Sequence, residues 1–182
     1  WSRLSEGVLS SNKKMDSSSV SGIVFKQLLA VIYIPLFLSY LVMIRNGSDG
    51  VSWIFFLLLV VFSGDTGAFY TGSYLGRHKL CPAVSPNKTI EGSVGALAAN
   101  VCSGAVFKIF FFPLLQWNLS ILFFLCIGVA GQVGDLFESK LKRVANIKDS
   151  GSLLPGHGGF LDRIDALLFA APVAYFFKEY IL

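Results

Sequence analysis

The sequence predicts an all-α, polytopic integral membrane helix bundle of about five transmembrane helices, with two long basic loops on the cytoplasmic side. Three observations carry that expectation. Hydrophobic residues fill 54% of the 182 positions and charged residues only 14%, against about a quarter charged in an average soluble domain. Five apolar stretches each approach the roughly 20 residues that cross a bilayer as helix. Basic residues gather in alternate turns between those stretches. Helix is the only open-chain solution in lipid, because the backbone must satisfy its own hydrogen bonds there.

Residues 1–22 are polar and rich in serine, with Lys13 and Lys14, and read as a flexible connector. Together with the next few residues they form a cytoplasmic leader, 1–26, ahead of a transmembrane catalytic domain, 27–182. Trp1 is not an initiator residue, so further sequence is expected upstream, and no signal-peptide pattern opens the chain. The apolar stretches run over Gln27–Ile44, Val51–Tyr70, Ile90–Phe112, Trp117–Leu136 and Phe160–Leu182. The turns at 45–50 and 113–116 are short and lack lysine. The turns at 71–89 and 137–159 are long and carry Arg77, Lys79, Lys88, Lys140, Lys142, Arg143 and Lys148. The positive-inside rule places both long turns and the leader in the cytoplasm, and five crossings leave the C-terminus outside. Trp53 and Trp117 open the second and fourth helices on the outer side, where an aromatic belt is expected.

Gly92, Gly95 and Gly104 in the third stretch, and Gly128, Gly131 and Gly134 in the fourth, predict helices packed closely against neighbours. Cys81, Cys102 and Cys126 are odd in number and scattered. That excludes a disulfide framework or zinc finger and leaves them as small apolar fillers.

Carboxylates inside or at the edge of a bilayer are costly, so each one there is a functional candidate. Asp65, Asp135, Asp162 and Asp165 all lie within or at the cytoplasmic ends of apolar stretches, with Glu138 one turn past Asp135. Asp162 and Asp165 are three apart and share a helix face, as do Asp135 and Glu138. An oxygen-rich, sulfur-free set suits Mg²⁺. The competing explanation is capping: negative charge at the first turn of the last helix suits its dipole. Capping accounts for one aspartate better than for two on one face with Arg163 between them.

Pro155-Gly-His-Gly-Gly159 precedes that last helix. Gly158 and Gly159 allow backbone N–H groups close to an anion at a helix N-terminus, and His157 could donate to phosphate or shuttle a proton. In the other long turn, Ser85-Pro-Asn-Lys-Thr-Ile-Glu-Gly92 presents Ser85, Lys88, Thr89 and Glu91 just before the third helix. It lacks the Walker spacing. Lys140, Lys142 and Arg143 also fit simple attraction to anionic head groups.

The run Ser139-x-Leu-Lys-Arg143-x4-Lys148-Asp149-x-Gly151-x2-Leu154-Pro-x-His157-Gly-Gly-Phe-x-Asp162-Arg163-x-Asp165 resembles the signature of the phosphatidate cytidylyltransferases, or CDP-diacylglycerol synthases. Ser63-Gly-Asp-Thr-Gly67, the Ser85–Gly92 block and Gly134-Asp-Leu-Phe-Glu-Ser139 resemble further blocks of that family, in the same order. The resemblance covers about residues 60–175 and corresponds to the family's C-terminal portion. It implies transfer of the cytidylyl group of CTP to phosphatidic acid, giving CDP-diacylglycerol and pyrophosphate for phospholipid biosynthesis.

The resemblance also implies Mg²⁺ on Asp135, Asp162 and Asp165, with K⁺ as a candidate second cation. Lys88, Lys148 and Arg163 would then hold the nucleotide phosphates, and Lys142 and Arg143 the lipid phosphate. Asp149 and His157 would orient them. Asp65, Ser85, Thr89, Glu91, Glu138, Gly158 and Gly159 complete the expected substrate contacts. The expected setting is a bacterial inner membrane with the site facing the cytoplasm, and the family suggests a homodimer. Two other readings stay open from the residues: a CTP-dependent lipid kinase, and an ion-coupled transporter lined by Asp65, Asp135 and Asp162. The one-sided clustering of charge speaks against the transporter.

Overall fold

Each apolar stretch becomes a helix, and most of the helices run past the apolar boundaries. The computed structural model describes residues 17–144, 147, 150, 159 and 161–182, with side chains from 31 onward. The elements among them are α1 (Ser17–Asn46), α2 (Gly50–Leu75), β1 (Lys79–Cys81), β2 (Ser85–Thr89), α3 (Ile90–Phe111), α4 (Trp117–Val144) and α5 (Leu161–Tyr180). The chain divides into two compact units within α1, at Leu36 and Phe37. The first unit is, among the described residues, the N-terminal part of α1 alone. That helix starts at Ser17, inside the stretch expected to be a flexible connector. Val20, Ile23, Val24 and Phe25 carry the apolar pattern upstream, and neither proline nor a turn motif interrupts it. Residues 1–16 of the expected leader lie outside the described residues.

The second unit holds everything else. α2 packs mainly along α3 and α4 mainly along α5, with α4 also against α3. α2, α3 and α4 are long and apolar enough to cross a membrane. The described apolar part of α1, Val31–Asn46, is shorter. α5 carries Asp162, Arg163, Asp165, Lys178 and Glu179 within or beside its apolar run, and its middle is buried by its neighbours, Leu168, Ala170 and Ala171 completely. The bundle is therefore an all-α membrane fold with one exception, the hairpin. Cα pairs Lys79 with Thr89 and Cys81 with Ser85, in a segment that composition marks only as a basic turn.

The core lies toward the end of the bundle away from the hairpin. Phe56, Phe123, Phe124, Ile127 and Leu57 are wholly buried. Phe56 and Phe123 stack with ring centroids 5.5 Å apart, and Trp53 stacks on Phe112 at 4.4 Å. Trp53 is thus a core residue, 7% exposed, and not the interfacial belt residue expected; the rings of Phe56, Phe112 and Phe123 give it a better apolar environment than a head-group layer. Trp117 stays half-exposed at the start of α4, with the Lys108 ammonium 4.2 Å from its ring centroid. The charge of the buried Lys108 is thereby met by an aromatic face.

At the same end Asp49 adopts a left-handed conformation, φ 51°, which a short polar side chain tolerates. Gly47 there approaches the Lys178 ammonium so closely that a Cβ would lie 2.5 Å from it. At the opposite end Arg143 Nε donates to the Val84 carbonyl at 3.3 Å, joining the two long basic turns. The turns thus sort to two ends as the charge pattern requires.

Candidate active site

α4 explains how the acidic residues come to face one place. It continues two turns beyond the expected end at Leu136, to Val144. Glu138 and Lys142 form an i,i+4 ion pair of 2.7 Å, and Lys142 and Arg143 sit in the last turn, where cations suit the helix dipole. At 28 residues the helix is about 42 Å long, so its charged end reaches past an apolar slab of about 30 Å. Asp135, Glu138 and Lys142 share one face of that end.

α5 begins opposite. Asp162, in its first turn, accepts from Lys142 Nζ at 2.9 Å, from the Ser150 amide at 3.0 Å and from the Gly159 amide at 2.8 Å. One carboxylate therefore holds the two described ends of the 150–159 segment against α4 and α5. Asp165 is buried, and its Oδ1 accepts from the Ala166 amide at 2.8 Å. Glu138 is 2% exposed; both its oxygens are buried without a well-directed hydrogen bond, the Lys142 ammonium standing beside one of them.

The hairpin brings the third contribution. Lys88 on β2 pairs with Asp135. Thr89 caps α3 by accepting from the Gly92 amide at 3.1 Å. Glu91 receives the Arg77 amide at 3.1 Å and the His78 amide at 3.2 Å, with His78 Nδ1 2.6 Å away. Its carboxylate anchors the foot of the hairpin. Arg143 is likewise engaged with the hairpin turn, and Ser139 Oγ donates to Asp135 at 3.4 Å.

Between α2, α3, α4 and the hairpin lies a cavity of about 630 Å³. Ser85, Lys88, Thr89 and Asp135 line one part of it; Asp65, Ser93, Gln132 and Asn100 line the rest, among glycines of three helices. The cavity collects residues from three of the sequence blocks named above. Asp162, Asp165, Glu138, Lys142, Arg143 and Arg163 adjoin it without lining it. Arg163 is in the first turn of α5, within electrostatic reach of Asp65. Lys148, Asp149, His157 and Gly158 lie outside the described residues; Gly159 is described and buried.

Asp65, Asp135 and Asp165, from three helices, are close enough to repel one another electrostatically. An oxygen-only set of mutually repelling carboxylates has the donor chemistry of an oxygen-preferring divalent cation. Among the described residues no three of His, Cys, Asp and Glu are gathered tightly enough to form a ready metal cluster. In this arrangement Lys88 and Lys142 supply the compensating charge.

Asn100, Ser93 and Gln132 escaped the sequence reading. Gln132 Nε2 donates to the Ser93 carbonyl at 3.1 Å, and the Ser93 hydroxyl meets Gln132 Oε1. The available signal was polarity within an apolar span, which that reading applied to charged residues only.

A cytidylyltransferase-family model matches residues 4–181. The chain belongs to the cytidylyltransferase family. It is 43% identical over 149 residues to the phosphatidate cytidylyltransferase of Bacillus subtilis, a match covering 81% of this chain and 55% of that protein. It is 44% identical over 147 residues to that of Staphylococcus saprophyticus, covering 80% and 55%. With the Staphylococcus aureus (strain COL) protein of the same name it shares 41% over 149 residues, covering 80% and 55%. The chain thus spans about half the length of the curated relatives it matches.

Proposed function

We propose that the protein containing this chain transfers the cytidylyl group of CTP to phosphatidic acid, forming CDP-diacylglycerol and pyrophosphate. The observation that carries this reading is the meeting of Lys88 and Asp135 at one cavity shared with Asp65. Three family blocks, far apart in sequence, contribute to a single polar recess in an apolar bundle, and the relatives above are named for this activity.

A lipid phosphate oxygen attacks the α-phosphorus of CTP, a new P–O bond forms, and the bond to the bridging oxygen of the β-phosphate breaks, so pyrophosphate leaves with that oxygen. The attacking phosphate is already anionic, so no protein nucleophile is required. The barrier is repulsion between anions, and the chain's task is positioning and charge neutralisation. Lys88 and Arg163 bind the nucleotide phosphates. Lys142 fixes Asp162, and Asp162 in turn holds the Ser150 and Gly159 amides. Asp135 and Asp165, joined by Asp162 when it exchanges its contact with Lys142, are the residues that would hold Mg²⁺, which would supply further neutralisation of phosphate charge; K⁺ as a second cation belongs to the same reading. The active site faces the cytoplasm of a bacterial inner membrane, where CTP arrives from water and the lipid from the bilayer. A homodimer is the oligomeric state this reading adopts from the family.

Incubating the full-length protein in membranes with labelled CTP and phosphatidic acid tests it. The expected products are labelled CDP-lipid and pyrophosphate, lost with EDTA and restored by Mg²⁺. Absence of labelled lipid, or release of CDP with a newly phosphorylated lipid, would overturn the assignment.

A further inference from the structure

Asn100 sits on α3 eleven residues beyond Thr89, so about 16 Å further along the bundle. Its side chain is set between α2 and α4. A Cβ on Gly64 or Gly128 would collide with the carboxamide, and one on Gly128 with Leu97 as well, so both glycines make room for that group. Asn100 is 3% exposed, lines the cavity, and its Oδ1 is buried with no hydrogen-bond partner among the described residues. An orphaned buried acceptor costs stability, and apolar residues would fill a purely structural seat between glycines at less cost. Asp65, next to Gly64 in sequence, lines the same cavity and is a second acceptor there. The cation of the cavity, Lys88, stands at Asp135.

This polarity selects a ligand. Its anionic end belongs at Lys88, and its other end must offer hydrogen-bond donors to Asn100 and Asp65. An ionised diacylglycerol phosphate has acceptors only, in its phosphate and ester oxygens. A cytidine nucleotide has an exocyclic amine and ribose hydroxyls. α4 runs toward the hairpin end and α3 away from it. Because side chains lean toward the helix N-terminus, Asp135 and Asn100 lean toward each other. Seven residues separate Asp135 from Gly128, about 10 Å of helix, so the lean leaves a gap on the scale of a nucleoside between phosphate and base edge.

We propose that Asn100 is the base-reading residue of the nucleotide site, its free acceptor favouring the amino-bearing pyrimidine over uracil. The assignment rests on the nucleotide-transfer reading above and deepens it.

The test uses the full-length protein in nanodiscs and two readouts: equilibrium binding of labelled nucleotide without lipid, and steady-state kinetics with both substrates. In the wild type, a CTP analogue lacking the 4-amino group is expected to bind about tenfold more weakly than CTP, the scale of one lost hydrogen bond. In Asn100→Ala, CTP binding falls about tenfold, the KM for phosphatidic acid is unchanged, and the preference for CTP over the analogue and over UTP shrinks toward one. The melting temperature should hold or rise, since an unsatisfied polar group has been removed. Equal binding of CTP and the analogue by the wild type overturns the proposal without any mutant. So does a variant whose lipid KM alone rises, which would place the lipid at Asn100. A variant with both KM values and the melting temperature shifted together overturns it in favour of a packing role. Failure of cytidylyl transfer in a wild type that still discriminates CTP from the analogue would count against the proposed reaction and leave the base contact standing.

Discussion

Lys142 answers two carboxylates with one ammonium, at 2.7 Å from Glu138 and 2.9 Å from Asp162. The side chains of Glu138 and Asp162 are 3% and 13% exposed, so water cannot take over if the ammonium is removed. Removing one partner of a buried pair leaves an uncompensated charge and costs about 3 kcal/mol or more. Lys142→Met is therefore expected to lower stability by about 3 kcal/mol, read as loss of the folded fraction in a detergent-denaturation series. Glu138→Gln combined with Lys142→Met should recover part of that loss, and a double variant no more stable than the single would show that the pair does not couple. Lys88 differs in kind, since it is a quarter exposed and lines the cavity. Lys88→Ala should leave the fold intact while reducing cytidylyl transfer by about a hundredfold or more, the usual scale for a lost electrostatic contact in a reacting site.

Among the elements, α4 and α5 show how closely spacing is set by small residues. A Cβ at Gly134 would lie 2.7 Å from the Asp165 carbonyl oxygen and 2.8 Å from the Phe169 Cβ, whereas at Gly131 its nearest neighbour, the Ala166 Cβ, is an ordinary 3.6 Å away. Gly134→Ala must push α5 and Asp165 outward, at about 1–3 kcal/mol. Gly131→Ala should gain up to about 1 kcal/mol from helix propensity. Thermal melts of the two variants, made one turn apart in the same helix, separate close packing from backbone entropy; similar shifts would contradict the geometry.

Much of this was legible in the sequence, because lipid allows so few backbone solutions. Hydropathy placed five helices, and charge asymmetry sorted their turns to two ends. The carboxylate spacing singled out Asp65, Asp135, Asp162 and Asp165. What the sequence hid depends on long-range pairing. Lys79-Leu-Cys81 and Ser85-Pro-Asn-Lys-Thr89 have weak strand propensity, yet Glu91 fixes their start by collecting two amides and the His78 ring. No local rule predicts that Asp162 would receive the amides of both Ser150 and Gly159, or that Trp53 would find three phenylalanines instead of a head-group layer. The hairpin's dependence on Glu91 is open to test. Glu91→Ala should leave the melting temperature nearly unchanged and make residues 77–84 more readily cleaved by added protease. Unchanged cleavage would show that strand pairing alone holds the hairpin.

For the whole molecule, charge and packing give the same division into two ends by separate routes. The hairpin and the charged end of α4 meet through Lys88–Asp135 and Arg143–Val84, while the 45–50 turn meets the end of α5 where Gly47 abuts Lys178. The first end carries most of the lysine and arginine of the turns, the asymmetry on which the proposed cytoplasmic orientation rests. Cys81 lies in the hairpin, so accessibility is best read in a background with Cys81, Cys102 and Cys126 replaced. Single cysteines at Arg77 and at Ser48 are then expected to react with a membrane-impermeant maleimide from opposite sides, Arg77→Cys only in inverted vesicles and Ser48→Cys only in intact cells. Labelling of both from one side would break the five-crossing arrangement. Labelling of each from the side opposite to that expected would keep the bundle and turn the cavity outward. CTP would then have no access to Lys88, and the proposed reaction could not proceed in that membrane.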